Sequence, residues 1–185
     1  METATLAGGP ARNAIATLAG GCFWCTQGIF KQIKGIKDVV SGYSGGNMEN
    51  PSYEKVASGI TNHTETIQVT FDPKVISYKD ILYIFFKTHD PTTVNRQGHD
   101  VGTQYRSVIF YHSDEQKKEA MNVKESLRED FSAPIVTEVL PFEKFYKAED
   151  HHQDYYEKNP EKPYCKLVID PKIQKLKHDF KKYLK

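Results

Sequence analysis

Two cysteines, Cys22 and Cys25, stand three positions apart behind a Gly20-Gly21 pair, with Phe23 and Trp24 between them. That spacing suits three chemistries: a dithiol redox pair, half of a zinc site, or a nucleophilic thiol beside an aromatic pocket. The pattern predicts a helix from Cys22 onward. On its first turn, unpaired backbone N–H groups and the helix dipole favour a thiolate. A free cysteine has a pKa of about 8.5, so such a position is one way to raise its ionised fraction at neutral pH. Gly21 leaves room for another molecule to reach the sulfur. Cys22 is therefore the candidate nucleophile, against the plainer alternative of a small buried hydrophobe. Zinc is the weaker option, because Cys165 stands alone and no second close pair completes the usual ligand spacing. Phe23 and Trp24 read either as core or as the wall of a pocket for a small apolar group.

A carboxylate comes next. Residues 64–71 alternate, with Ile67, Val69 and Phe71 on one side and Thr66, Gln68 and Thr70 on the other. Extending that parity puts His63 and Glu65 on the apolar side. A desolvated carboxyl holds its proton to higher pH, which suits a proton donor near neutrality. By spacing alone, a solvated glutamate at a strand's start is the slightly simpler reading.

The elements that must position these residues follow from periodicity and punctuation. Ala14 to Leu18 reads as a buried strand closed by Ala19-Gly20-Gly21. Phe23, Thr26, Phe30 and Ile33 recur at helical spacing before Gly35. Ile36 to Tyr43 is a second strand, and Ser44-Gly45-Gly46-Asn47 a loop. Ser77 with Asp80 opens a helix whose core face is Ile81, Leu82, Ile84, Phe85 and Phe86, ending before Pro91. Arg106 to Tyr111 is a strand, Ser113 with Gln116 caps a polar helix to about Asp130, Ile135 to Leu140 is a strand, and Lys147 to Lys158 is helical. In the tail, Ile173, Leu176, Phe180 and Leu184 form one stripe among lysines, an amphipathic helix packing on the domain. The order predicts an α+β fold: a two-layer sandwich with a ferredoxin-like split βαβ core, a mixed sheet and an extended C-terminal tail.

Composition bounds the rest. The chain has 185 residues, enough for one cored domain, and a net charge of +1, which points to no polyanionic partner. No segment has the apolar length of a membrane span, and Met1 to Ile15 lacks the run of a secretory signal. Three cysteines, an odd number, leave at least one thiol free and favour a reducing, cytoplasmic setting. "ATLAGG" occurs at 4–9 and again at 16–21, so residues 1–13 read as a poorly ordered leader and 14–185 as a single catalytic domain.

Gly20 to Cys25 with its preceding strand closely resembles the active-site motif of the type A peptide methionine sulfoxide reductases. The likeness extends to "SGYSGG" at 41–46, "NPSYEKV" at 50–56, "HTETIQVTFDP" at 63–73 and "HDPTTVNRQGHDVGTQYRSVIFYH" at 89–112. "FYKAEDHHQDYY" at 145–156 and "NPEKPYC" at 159–165 complete it, in the family's order. The resemblance implies reduction of methionine S-sulfoxide, free or in proteins, to methionine. It implies Cys22 as the attacking thiolate and Glu65 as proton donor. Tyr43 and Tyr105 would hold the sulfoxide oxygen, with Asp100 in the same pocket, and Phe23 and Trp24 would receive the S-methyl group. Cys22 is then left as a sulfenic acid. Cys165 matches the family's distal recycling cysteine, and Cys25 is its rival. Thioredoxin or another dithiol would reduce the resulting disulfide. No bound cofactor, metal, nucleic acid or membrane is implied, and the chain would act as a monomer. His152 reads as a helix-surface histidine, and Gln27, where relatives often carry glutamate, has no assigned role. The family usually has glycine where this chain has Asn62. Two rivals remain: a thioredoxin-like disulfide oxidoreductase using Cys22 and Cys25, which would leave Glu65, Tyr43 and Tyr105 idle, and a zinc-stabilised binding module.

Overall fold

A computed structural model describes residues 13–185; the leader expected at the N-terminus, with the first "ATLAGG", otherwise lies outside the described residues. The elements run β1 (Ala14–Ala19), α1 (Phe23–Phe30), β2 (Ile36–Ser44), α2 (Tyr53–Ala57), β3 (Thr64–Phe71) and α3 (Tyr78–Thr88). Then follow β4 (Arg96–Gln97), β5 (Asp100–Val101), β6 (Val108–Tyr111), α4 (Asp114–Ser126), β7 (Glu138–Pro141), β8 (Phe145–Lys147), α5 (Tyr155–Lys158) and α6 (Asp170–Asp179).

Six strands form one mixed sheet in the order β7-β6-β1-β3-β2-β8, with β4 and β5 as a separate hairpin. β1 lies antiparallel to both β3 and β6, β2 antiparallel to β3 and β8, and β6 parallel to β7. The architecture is thus α+β with a mixed sheet. The apolar side chains of one sheet face, Ala16 and Leu18 of β1 with Ile67, Val69 and Phe71 of β3, join Phe23, Phe30 and Ile33, the α3 residues Ile81, Leu82 and Phe85, and Ile173 and Leu176 of α6 in one core. Those α3 and α6 positions are the stripes expected from their spacing. Ser77 caps α3 by accepting from the Asp80 N–H, and Ser113 caps α4 by accepting from the Gln116 N–H, as the capping patterns predict.

Three expectations change. The strand expected from Arg106 begins at Val108, because Thr103–Tyr105 form a 3-10 turn first. The strand expected over Ile135 to Leu140 is confined to β7, paired with β6. The helix expected over Lys147 to Lys158 breaks up. Its start is pulled onto the open edge of β2, where β8 pairs and the Ala148 N–H donates to the Ser41 carbonyl. Asp154, at φ 57, then takes a left-handed conformation that no helix continues through, so only the single turn of α5 remains. Sequence periodicity missed this because the competing partner is a distant strand edge.

Candidate active site

β1 runs through the middle of the sheet and ends in Gly20-Gly21, so whatever follows is delivered to the end of the central strands. Gly21 turns the chain at φ +86, and a Cβ there would lie 2.5 Å from Gln97 Cγ. Only glycine suits both the angle and the space. Cys22 is consequently the cap residue of α1 rather than part of its first turn (φ −60, ψ 126), and its carbonyl accepts from the N–H groups of Cys25 and Thr26. The Phe23 N–H donates to Glu65 Oε2 at 3.0 Å. The helix terminus that was to stabilise a thiolate therefore holds the carboxyl instead.

Glu65 sits in register opposite Tyr43 on β2 and is buried with Ile67, Val69 and Phe71, as the alternation predicts. Burial, aided by the nearby charge of Asp100, pushes its pKa up to about 8 against the pull of the Phe23 N–H, so it is protonated at neutral pH. Its strand is anchored upstream. His63 is buried, with Nδ1 accepting from the Gly46 N–H at 3.0 Å. Asn62 takes the left-handed conformation at φ 57, one that asparagine tolerates in place of glycine.

The thiols behave as a pair. Burial and then the neighbouring thiol and Glu65 push Cys22 well above the ordinary cysteine value. A hydrogen bond from Cys22 draws Cys25 down to about 7, in spite of burial. The lower of the two values falls on Cys25, so the pair's first proton leaves at about 7. All three cysteines are free and buried. Cys165 is fully buried at the head of a five-residue π-helical turn (Cys165–Ile169), and burial raises its pKa.

Aromatic side chains pack in the same core cluster as Cys22. Phe23 lies near Tyr43 and Tyr53, at ring separations of 5.8 and 6.5 Å. Trp24 stacks on Tyr155 at 3.7 Å and meets Tyr164 edge-on at 5.7 Å. Its indole N–H donates to His152 Nδ1 at 3.1 Å. His152 is thus buried, not on a helix surface.

The tyrosines divide in a way the sequence reading did not foresee. The Tyr43 ring is wholly buried and its hydroxyl donates to Glu149 Oε2 at 2.8 Å, the carboxylate that also accepts from the Tyr53 N–H. Tyr43 is therefore part of the site's wall, with its hydroxyl engaged. Tyr53 and Tyr105 are partly exposed, and each is raised by burial and then by the charges of Glu65, Cys22 and Asp100, Tyr53 to about 12. Both side chains therefore lie within electrostatic reach of the same cluster. Tyr53 sits at the start of the short α2, in "NPSYEKV", and no periodicity marked it. Asp100, on β5, accepts from the Tyr164 hydroxyl at 2.8 Å. Gln27 is structural: its amide N–H donates to the Val39 carbonyl and its oxygen accepts from the Asp154 N–H.

The cluster thus combines two coupled thiols, a neutral buried carboxyl, two available phenols and an aromatic wall. It suits a thiol attack coupled to proton delivery onto an oxygen. Among the described residues no group of three or more His, Cys, Asp or Glu side chains could hold a metal ion, and no helix is long and apolar enough to cross a membrane.

The family model described as "Peptide methionine sulfoxide reductase" matches residues 14–184. The chain is 55% identical over 166 residues to the peptide methionine sulfoxide reductase MsrA of Sulfolobus acidocaldarius, covering 90% of this chain and 94% of that protein. Among solved structures it is similar to the reduced form of Mxr1 from Saccharomyces cerevisiae, at TM-score 0.78 and 39% identity, covering 88% of this chain and 94% of that one. It is also similar to Mxr1 in complex with Trx2, at TM-score 0.56 and 29% identity, covering 82% of this chain and 91% of that one.

Proposed function

Because the chain belongs to the peptide methionine sulfoxide reductase family, as a peptide-methionine (S)-S-oxide reductase of the MsrA type, we propose that Cys22 attacks the sulfoxide sulfur while Glu65 protonates its oxygen. The observation that carries this reading is the neutral, buried Glu65 held on the Phe23 N–H beside the Cys22–Cys25 pair. A sulfoxide sulfur is a weak electrophile until its oxygen is protonated or strongly hydrogen-bonded. Glu65 supplies that proton below pH about 8. Tyr53 and Tyr105 donate hydrogen bonds to the same oxygen, an arrangement like an oxyanion hole. Phe23 and Trp24 take the S-methyl group into their apolar wall.

As the Cys22 sulfur attacks, its proton passes to the Cys25 thiolate, the form that this thiol takes above pH about 7. Loss of methionine leaves a sulfenic acid at Cys22: the sulfoxide has gained two electrons and the thiol has lost two. The Cys25 thiol then condenses with it, forming the Cys22–Cys25 disulfide and releasing water. Cys25 resolves first in this scheme because it already touches Cys22, whereas Cys165 is fully buried and acts later by thiol–disulfide exchange. Thioredoxin is the reductant we assign, in line with the Mxr1 complex with Trx2. We also read β6-β1-β3-β2 as a ferredoxin-like split βαβ core, since β3 inserts between the strands that α1 connects, and residues 14–185 as one catalytic domain.

The test is a single turnover without reductant on both epimers of methionine sulfoxide. The S epimer should yield methionine, one per enzyme in the first burst, and the R epimer none, and Cys22→Ser should yield none from either. Product from Cys22→Ser would refute the assignment of the nucleophile.

A further inference from the structure

The residue before the distal cysteine does something the scheme above leaves unused. Tyr164 turns its ring edge-on to Trp24 and drives its hydroxyl into the cluster, 2.8 Å from Asp100 Oδ2 and 3.8 Å from Cys25 Sγ. Its single proton is donated to Asp100, and the Cys25 sulfur packs against its oxygen. A phenol oxygen thus occupies the region bounded by Asp100, Cys25 and Trp24, next to where a sulfoxide oxygen must arrive. The next residue, Cys165, is completely buried and its turn leads directly into α6.

We infer that Tyr164 is a latch on the recycling segment: its hydroxyl, held between Asp100 and Cys25, keeps Cys165 buried until a sulfoxide bound in the pocket pushes the ring aside. The inference rests on the sulfoxide-reductase reading of the pocket. Entry of substrate removes the contact with Asp100. Formation of the Cys22–Cys25 disulfide removes the other, because it draws the Cys25 sulfur toward Cys22 and leaves neither an S–H nor a thiolate beside the hydroxyl. Each event loosens the turn that carries Cys165, so the thiol is released when there is a disulfide for it to attack. A second hydroxyl that the mechanism leaves idle, that of Tyr156, also anchors this segment by donating to Asp170 at 2.7 Å.

The experiment measures alkylation of Cys165 by iodoacetamide, resolved by peptide mass, in the full chain carrying Cys22→Ser so that no turnover occurs. The S-sulfoxide of N-acetylmethionine is the probe, and binding is read from the fluorescence of Trp24, the only tryptophan. Saturating probe should speed Cys165 labelling by about tenfold, the scale of losing one hydrogen bond to a charged group. Tyr164→Phe should label as fast without the probe and show no further increase with it. Tyr156→Phe should retain the dependence on the probe, which separates a latch from general loosening of the tail. If the probe changes Trp24 fluorescence while Cys165 labelling stays constant, or if Tyr164→Phe labels like its parent, the latch does not exist. A probe that leaves Trp24 unchanged would instead refute the reading of the pocket, and the Tyr164→Phe comparison would still decide the latch.

Discussion

The chemistry rests on which group keeps its proton. In water a carboxyl would be ionised and a thiol largely not; here burial holds Glu65 neutral up to about pH 8, and pairing makes Cys25 the more acidic thiol at about 7. The Tyr53 and Tyr105 hydroxyls, within electrostatic reach of Glu65 and Cys22, are the ones free to bind an oxygen, whereas the Tyr43 hydroxyl is engaged by Glu149. Tyr53→Phe should therefore lower single-turnover reduction by roughly tenfold, the scale of one hydrogen bond to a charged group. Tyr43→Phe should cost stability, on the order of 1 kcal/mol for losing a hydrogen bond to the half-buried Glu149, with little change in that rate. Rapid-quench kinetics and thermal melts on both variants separate the two roles, and the reverse ranking would return the oxygen to Tyr43. Glu65 was half legible in the sequence: strand parity set it on the apolar side, spacing alone slightly favoured a solvated strand start, and the family resemblance tipped the balance. Tyr53 was not, since a tyrosine on a single helical turn carries no periodic signal, and its neighbours come from β3, β5 and α1.

The elements serve as devices for bringing those groups to one point. β1 ends on Gly20-Gly21, and the turn at Gly21 sets Cys22 as the cap of α1 so that the next N–H meets Glu65. Gly21→Ala forces a left-handed alanine and a clash with Gln97, whose amide holds both backbone groups of Asp90. We expect a loss on the order of 1–3 kcal/mol from the strained angle, with a parallel fall in kcat as Cys22 leaves register with Glu65. Denaturant melts and steady-state rates test it, and unchanged activity would mean the turn does not set the thiol's position. Helices with strong stripes and caps, α3 above all, were readable from their own residues. The β4–β5 hairpin, β8 and the broken segment around Asp154 were not. Their backbone partners lie far away in sequence, and local propensity cannot register an open strand edge elsewhere.

At the scale of the whole molecule, the site is a strain on folding that pH exposes. A carboxyl whose pKa rises from 4.5 to about 8 on folding contributes its full share of stability below the lower value and loses it as pH climbs through the higher one. The loss should be on the order of 4 kcal/mol between pH 4 and pH 9. Glu65→Gln, neutral at every pH, should remove that part of the slope and melt higher than the parent at pH 8, with the gap closing toward pH 4. Equal slopes would mean that Glu65 is not held neutral in the fold. Proton donation by the same group is the centre of the mechanism, and the most direct measurement of it is the pH dependence of sulfenic acid formation at Cys22 in a single turnover. The wild-type rate should rise through pH about 7 as Cys25 ionises and fall above about 8 as Glu65 does, while Glu65→Gln should be slower by about a hundredfold and lack the descending limb. A Glu65→Gln enzyme that matches the wild-type rate, or keeps the same fall above pH 8, would contradict the account.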